Sequence, residues 1–245
     1  MVSLAKEKPA FPSDYQNINT THSKILNLAE NLLGINGTTG FELREISKEL
    51  QISPGLIHHY YSSSEELIFD TVLFSYSNLV QGILTEIENL QDSEAVLRIW
   101  IRSMLDWETT KPGIGVILEF PRQVLRTGSK SATNAEQMLS TFLKEISEIG
   151  TKNVATVASA VRGIQKNTKF KMLSPAKVAG LIATDSKFAT YTSMAGFATI
   201  GAGLWIAGRR PSDRKNSIWV KLGFDPAKQT QTVINNFVKM IKDSN

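Results

Sequence analysis

Apolar residues recur every three or four positions along most of this 245-residue chain, which is the spacing of amphipathic helices. One apolar stripe lies over residues 20–37, and a shorter one follows over 43–50. A third begins at Ser53 and Pro54, where a good N-cap precedes a good first helical residue. No segment alternates convincingly as a strand does, so the pattern predicts an all-α fold.

The spacing of these short helices is typical of a helix-turn-helix unit. Ser63 and Glu66 form the pattern of a capping box, which opens a long fourth helix reaching about residue 87. Three compact helices, with a turn of three to four residues between the second and third, then precede a long one. Residues 1–19 show no periodicity and predict a flexible arm.

The rest of the chain also predicts helices. Apolar stripes indicate helices over 96–107, over 115–126 with an interruption at Pro121, and over 133–165. Ser174 and Pro175 open one long segment reaching about residue 207. A basic loop is expected over 208–224, and Asp225 with Pro226 opens the last helix.

The composition of the chain excludes several classes of function. The chain has no cysteine and three histidines, which excludes disulfide scaffolds, cysteine zinc sites, iron–sulfur clusters and thiol nucleophiles. Neither of the hydrolase patterns HExxH and GxSxG occurs. We therefore expect no enzyme, no cofactor and no metal. The first residues lack an uninterrupted apolar run, so we expect a cytoplasmic protein.

One uncharged stretch, residues 188–208, is long enough to cross a bilayer. Threonines, a serine, a tyrosine and four glycines dilute its apolar content, which favours a helix buried between protein neighbours. A membrane-associated helical protein is therefore the weaker alternative, and no membrane partner is expected.

Charge is distributed unevenly along the chain. Residues 1–75 carry five basic and nine acidic side chains, whereas the whole chain has a net charge of +4. The segment with the helix-turn-helix pattern is thus acidic. DNA binding cannot be inferred here from a basic patch.

Residues 23–72 resemble the N-terminal domain of the TetR/AcrR family of bacterial transcriptional regulators. The resemblance is carried by five short pieces spread over about fifty residues, namely Leu32-Leu33-Gly34, Arg44-Glu45-Ile46, Ile52-Ser53, Ile57-His58-His59-Tyr60-Tyr61 and Ser63-Ser64-Glu65-Glu66-Leu67. Four positions depart from the family pattern. Phe41 stands where the family has a capping threonine, so Thr39 or Gly40 is expected to cap the second helix, and His58 stands where the family has a tyrosine. Gln51 stands where the family has a turn glycine, at a position that favours positive φ, and Ser64 replaces a lysine that reaches a DNA phosphate.

The resemblance implies a helix-turn-helix DNA-binding domain over 20–70 and a helical ligand-binding and dimerisation domain over 71–245. The start of the third helix would meet base edges, and its end and the flanking helices would meet phosphates. The expected DNA-binding residues are Arg44, Lys48, Ser53, Pro54, Gly55, Leu56, His58, His59, Tyr60 and Ser64. Adjacent histidines point in different directions on a helix, which disfavours a zinc site at 58 and 59.

The larger domain is expected to hold a largely apolar small-molecule inducer. Candidate pocket residues are its large apolar side chains, Trp100, Met104, Trp107, Phe120, Phe142, Phe188, Tyr191 and Met194. Four nearby carboxylates are expected mainly at the solvated surface, namely Asp106, Glu108, Glu119 and Asp185. The expected dimer interface comprises Ala195, Ala198, Ala202, Gly203, Val233, Phe237 and Met240.

These expectations together describe a homodimeric repressor that a small molecule releases from a palindromic, double-stranded DNA operator. An architectural DNA binder of the same family, without an inducer, is the main alternative. The sequence names neither the ligand nor the operator.

Overall fold

The structure is a computed structural model that describes residues 11–12, 15–38, 41–125, 132–207 and 226–243. Within these ranges it contains ten α-helices and no strand, which confirms the all-α prediction. The helices are α1 (Thr20–Asn36), α2 (Leu43–Glu49), α3 (Pro54–Tyr60), α4 (Ser64–Ile87), α5 (Ser93–Thr110), α6 (Pro112–Glu119), α7 (Ala132–Lys166), α8 (Pro175–Thr184), α9 (Ser186–Ala207) and α10 (Pro226–Lys242).

Local capping chemistry defines the helix-turn-helix unit. The Ser53 hydroxyl accepts the Leu56 N–H at 3.2 Å at the start of α3, and the Ser63 hydroxyl accepts the Glu66 N–H at 3.2 Å at the start of α4. The Glu66 carboxylate returns to the N–H of Ser62 at 2.6 Å, one residue before the expected partner. The α2–α3 turn places Gln51 at φ 54°, in the left-handed region that the sequence predicts.

Two expectations at the N-terminal end are wrong. The residue before α2 is Glu42, which makes no side-chain cap hydrogen bond, while Thr39 and Gly40 lie outside the described residues. The arm is not free where the structure describes it. Phe11 and Tyr15 are only 6% and 8% exposed, because both side chains join the apolar core.

The C-terminal half also differs from the prediction in detail. The segment expected to run unbroken from Pro175 to residue 207 is interrupted at Asp185, whose extended backbone ends α8. Its carboxylate then accepts the Phe188 N–H at 3.0 Å and opens α9. The helix expected over 115–126 instead starts at Pro112 and ends at Glu119, and a 3₁₀ turn, Pro121–Val124, follows it. The predicted loop at 208–224 lies outside the described residues.

Two apolar clusters form the core. The first joins α1, α2, α3 and the first half of α4 to α6 and the start of α7. The second lies among the end of α4, α5, the second half of α7 and helices α8 to α10. The boundary predicted at residue 70 falls inside α4, within the first cluster. The helix-turn-helix unit therefore shares its core with the helices that follow it.

Among the described residues, one helix, α4, is long and apolar enough to cross a membrane. Two thirds of its most apolar window is buried inside the protein, at 67%. Core helices of globular proteins have this property.

Candidate nucleic-acid interface and neighbouring core

The first turn of α3 forms an open surface. Ser53, Pro54, Gly55 and Leu56 are all exposed, and Leu56 retains 37% of its accessible surface. A Cβ added at Gly55 would meet no atom within 4 Å. The opposite side of the helix is anchored by Ile57, which is 1% exposed. The turn can therefore enter a groove without disturbing the core.

Cationic and polar groups flank this turn. Arg44 and Lys48 are exposed on α2, one helical turn apart, and His58 and His59 are exposed on α3. Tyr60 is half-buried, since its hydroxyl donates to Asn19 Oδ1 at 3.2 Å and its ring lies 5.2 Å from that of His22. Ser64 is half-buried at the start of α4.

Behind this surface, a buried carboxylate ties the end of α3 to the core. Asp70 on α4 is 1% exposed and accepts hydrogen bonds from the hydroxyls of Tyr15 at 2.5 Å and Tyr61 at 2.6 Å. His22 Nε2 on α1 lies 3.1 Å from the same carboxylate and 2.6 Å from the Tyr61 hydroxyl. Burial, and secondly the charge of Asp70, raise the pKa of both tyrosines far above the ordinary range.

This network fixes the orientation of α3 relative to α1 and α4. The sequence analysis missed it. Its one signal was an aspartate within the largely apolar run of residues 67–74.

The helix-turn-helix unit meets the larger domain through α6. A Cβ at Gly113, near the start of α6, would lie 1.9 Å from the Leu33 carbonyl oxygen and 2.8 Å from the Gly37 backbone. Only glycine allows so close an approach to α1. Beside it, the Lys111 ammonium forms an ion pair with the Glu30 carboxylate of α1. Any movement of α6 therefore acts directly on α1.

The candidate pocket residues are divided between the two apolar clusters and the surface. Trp107 and Phe142 belong to the first cluster, where Phe142 stacks on Phe69 at 4.6 Å. Trp100, Met104 and Phe188 belong to the second, and Tyr191 packs against it half-buried. Phe120 and Met194 are 52% and 42% exposed. The structure thus brings three of the eight together in one buried cluster.

Polar bonds fix the indoles of the two tryptophans. Trp100 Nε1 donates to Asn153 Oδ1 at 2.6 Å, and Trp107 Nε1 donates to Ser75 Oγ at 2.9 Å. The Asn153 amide in turn donates to the Tyr76 hydroxyl at 2.8 Å. These bonds link α4, α5 and α7 through the interior.

The candidate dimer residues lie on α9 and α10. Ala195 is buried, and Phe237 and Met240 are half-buried. Met240 and Tyr191 line an open groove of about 500 Å³ between these two helices. For the other four candidates the structure describes the helical backbone alone, namely at Ala198, Ala202, Gly203 and Val233.

One of the four carboxylates departs from the expectation of a solvated surface. Asp106 is exposed, and Asp185 pairs with Arg162 at 2.9 Å. Glu108, in contrast, is 1% exposed. Burial, and secondly the nearby charge of Glu119, raise the pKa of Glu108 from its ordinary value of 4.5 to about 7.

A helical spacing could have revealed Glu108. Trp100, Met104 and Glu108 follow one another at intervals of four, so the carboxylate lies on the buried stripe of α5. Elsewhere in the described part of the chain, no three His, Asp or Glu side chains come together as metal ligands would.

A sequence model of the bacterial regulatory proteins of the tetR family matches residues 25–71 of this chain. No curated protein matches it significantly in sequence. Among solved structures, the transcriptional regulator FadR from Bacillus subtilis in complex with stearoyl-CoA is similar, with a TM-score of 0.54 and 13% identity. The alignment covers 89% of this chain and 97% of that one.

A protein from Saccharomonospora viridis, solved in complex with choline, is also similar, with a TM-score of 0.58 and 13% identity. The alignment covers 89% of this chain and 95% of that one. At this identity the likeness indicates a shared fold, which extends from the helix-turn-helix unit through the larger helical domain. Residues 25–71 thus carry the helix-turn-helix sequence of the tetR family of bacterial regulatory proteins, and the whole chain shares its fold with these two regulators.

Proposed function

We propose that this protein is a ligand-responsive repressor, which binds a palindromic operator as a homodimer and leaves it when a small molecule binds. The observation that carries this proposal is the position of α3. Its first turn is exposed, while its other side packs into the core that α6 also shares. A change at α6 can therefore alter the presentation of α3.

In the proposed complex, the first turn of α3 enters the major groove. Ser53, Gly55 and Leu56 then approach base edges, together with Pro54. The groups expected at phosphates surround this turn, namely Arg44, Lys48, His58, His59, Tyr60 and Ser64. Two copies of α3 must reach successive major-groove faces about 34 Å apart, which requires a dimer and a palindromic site.

The dimer is proposed to form through α9 and α10, with Phe237 and Met240 at its centre, whereas Ala195 is buried in the core of the single chain and is no longer expected to contact the partner. The ligand is proposed to bind among α4, α5, α7 and α9, where the candidate aromatic residues lie. Complexes of similar proteins with stearoyl-CoA and choline support a small-molecule ligand. Release from DNA requires the ligand to bind the DNA-incompetent conformation more tightly. We expect this function in the cytoplasm, without catalytic activity.

The first test is fluorescence anisotropy with duplexes that tile the protein's own upstream region, at two salt concentrations and with scrambled competitor DNA. Saturable binding to one palindromic segment that survives the competitor supports the proposal. Equal affinity for scrambled DNA contradicts specific recognition.

Charge variants then test the interface. Arg44→Ala is expected to weaken binding to all sequences and to lower the salt slope by about 1, the loss of one phosphate contact. Arg102→Ala is the matched control, because Arg102 is an exposed arginine of α5, paired with Glu86. Equal losses in the two variants would assign the effect to net charge.

The inducer is tested on the preformed operator complex. Stearoyl-CoA and choline are the first probes, because similar proteins bind them. A fall in anisotropy at constant protein and DNA concentration supports release by ligand. Binding of either probe with unchanged operator affinity would favour a regulator that is not induced by that molecule.

A further inference from the structure

Glu108 is a buried acid for which the described part of the chain supplies no partner. Its side chain is 1% exposed, and Oε2 accepts no hydrogen bond from any described residue. Buried carboxylates in folded proteins are almost always hydrogen-bonded or paired, because an unpaired one is costly. The position therefore calls for a group that the described residues do not provide.

The surroundings of Glu108 add negative charge and aromatic surface. The charge of Glu119 on α6 acts on Glu108, and Tyr76 on α4 lies within the field of both acids. The Tyr76 ring lies 6.0 Å from the ring of Trp107, the residue before Glu108. Glu119 is exposed, so Glu108 is the acid of this pair that is removed from water. A carboxylate removed from water attracts a cation strongly, and aromatic rings attract organic cations as well.

No basic side chain of the described residues neutralises these acids. The described ion pairs include neither Glu108 nor Glu119. Lys111 lies one helical turn beyond Glu108, but its ammonium pairs with Glu30 of α1. A positive charge bound at this place would come from outside these residues.

Space for the carboxylate depends on a glycine of α6. A Cβ at Gly115 would lie 2.6 Å from Glu108 Oε2, so this oxygen rests against bare backbone. Gly113, two residues earlier, contacts the Leu33 carbonyl oxygen of α1. Glu108 thus lies next to the helix that joins the larger domain to the DNA-binding unit.

We propose that Glu108 anchors the positively charged head group of the ligand, an organic ammonium with an apolar body. The inference rests on the proposed ligand response and adds its chemical class. Binding of a cation between α5 and α6 would shift Gly115, and with it the contact of Gly113 with α1.

The test compares three probes of one chain length that differ in charge, below their micellar concentrations. They are decyltrimethylammonium, decanol and decanoate. Affinity for the full-length protein is measured by thermal shift and by tryptophan fluorescence. The variants are Glu108→Gln, which keeps the shape and removes the charge, and Glu148→Gln, an exposed acid of α7, as the control.

The wild-type protein is expected to bind the cation in preference to decanol and decanoate. Glu108→Gln should weaken cation binding by about 30-fold or more, the loss typical of removing one partner of a buried charge pair. Glu148→Gln should bind as the wild type does. If Glu108→Gln does not fold, the wild-type protein alone tests the proposal, which then requires tighter binding of the cation than of decanol and decanoate.

Three results would overturn the inference: equal binding of decanoate, unchanged cation affinity in Glu108→Gln, or no binding of the cation. Operator release separates this inference from the proposed function. If a cation binds through Glu108 and operator affinity stays unchanged, the proposed release by ligand is contradicted, while the cation site at Glu108 is supported. If decanoate or stearoyl-CoA releases both the wild type and Glu108→Gln from the operator, the proposed repressor function is supported, while the cation site at Glu108 is contradicted.

Discussion

At the scale of single residues, two buried carboxylates have opposite surroundings. Asp70 is bound by two tyrosine hydroxyls and a histidine ring, whereas Glu108 Oε2 has no hydrogen-bond partner among the described residues and Glu108 lies in the field of a second acid, Glu119. A satisfied buried charge supports the fold, and an unsatisfied one weakens it. The two residues therefore give different predictions for stability.

Glu108→Gln is expected to stabilise the unliganded protein above neutral pH. The folded-state pKa of about 7 exceeds the ordinary 4.5. The unfolded chain therefore releases its proton first, and folding free energy is lost as pH rises from about 4.5 to 7. The loss is on the order of 3 kcal/mol above that window. Glu119, whose pKa burial also raises, acts in the same direction.

The measurement is urea unfolding between pH 5 and 8. The variant should show a flatter dependence of unfolding free energy on pH, and Glu148→Gln should follow the wild type. A variant less stable than the wild type at pH 8 would contradict an unpartnered Glu108.

Tyr15→Phe should destabilise the fold by about 1.5–3 kcal/mol, the range for a hydrogen bond to a charged group. It removes the donor to Asp70 Oδ1 and leaves the ring in place. Tyr191→Phe on α9 is the control. Equal unfolding free energies of the two variants would show that the bond contributes nothing.

At the scale of helices and turns, the sequence predicts best where one side chain decides the geometry. Ser53 and Ser63 are caps by chemistry, and the position of Gln51 predicts the positive φ observed there. The break at Asp185 was missed because its cause is partly distant. Arg162 of α7 binds the carboxylate that ends α8. Glu108 was missed because a carboxylate suggests solvent unless its helical phase is counted.

Gln51→Gly should stabilise the protein by up to about 1 kcal/mol, because glycine adopts positive φ without strain. The control is Gln81→Gly in the interior of α4, which should cost about 1 kcal/mol. Thermal unfolding of both variants measures the difference. A Gln51→Gly protein as destabilised as Gln81→Gly would contradict strain in the turn.

Gly113→Ala should disrupt the contact of α6 with α1. Its methyl group would overlap the Leu33 carbonyl oxygen, and backbone cannot rotate away as a side chain can. We expect a lower midpoint of thermal unfolding and altered operator affinity. Gly82→Ala on α4, where a Cβ meets nothing within 4 Å, should instead be neutral or stabilising. If the two variants had the same unfolding midpoint and the same operator affinity, α6 would have no part in coupling the larger domain to DNA binding.

At the scale of the whole molecule, charge works against the proposed DNA contacts. Residues 1–75 carry nine acidic and five basic side chains, although the whole chain is positive. Recognition must then rely on a few placed groups instead of a basic surface, and the salt dependence should be shallow.

Ser64→Lys should restore a phosphate contact that the resemblance implies at this position. The salt slope of operator binding is expected to steepen by about 1. Ser147→Lys, on an exposed position of α7, adds the same charge elsewhere. An equal gain in both variants would mean that Ser64 lies away from DNA.

The shared core has a consequence for any attempt to make this protein recognise another promoter. A helix-turn-helix unit that ends at residue 70 would separate Phe69 from its stacking partner Phe142. It would also leave α1 without the α6 backbone that fits against Gly37. A chimeric regulator divided at residue 70 would expose apolar core residues to solvent on both halves. The exchangeable part is the outer side of α2 and α3, which can be rewritten for a new operator while the remaining scaffold stays whole.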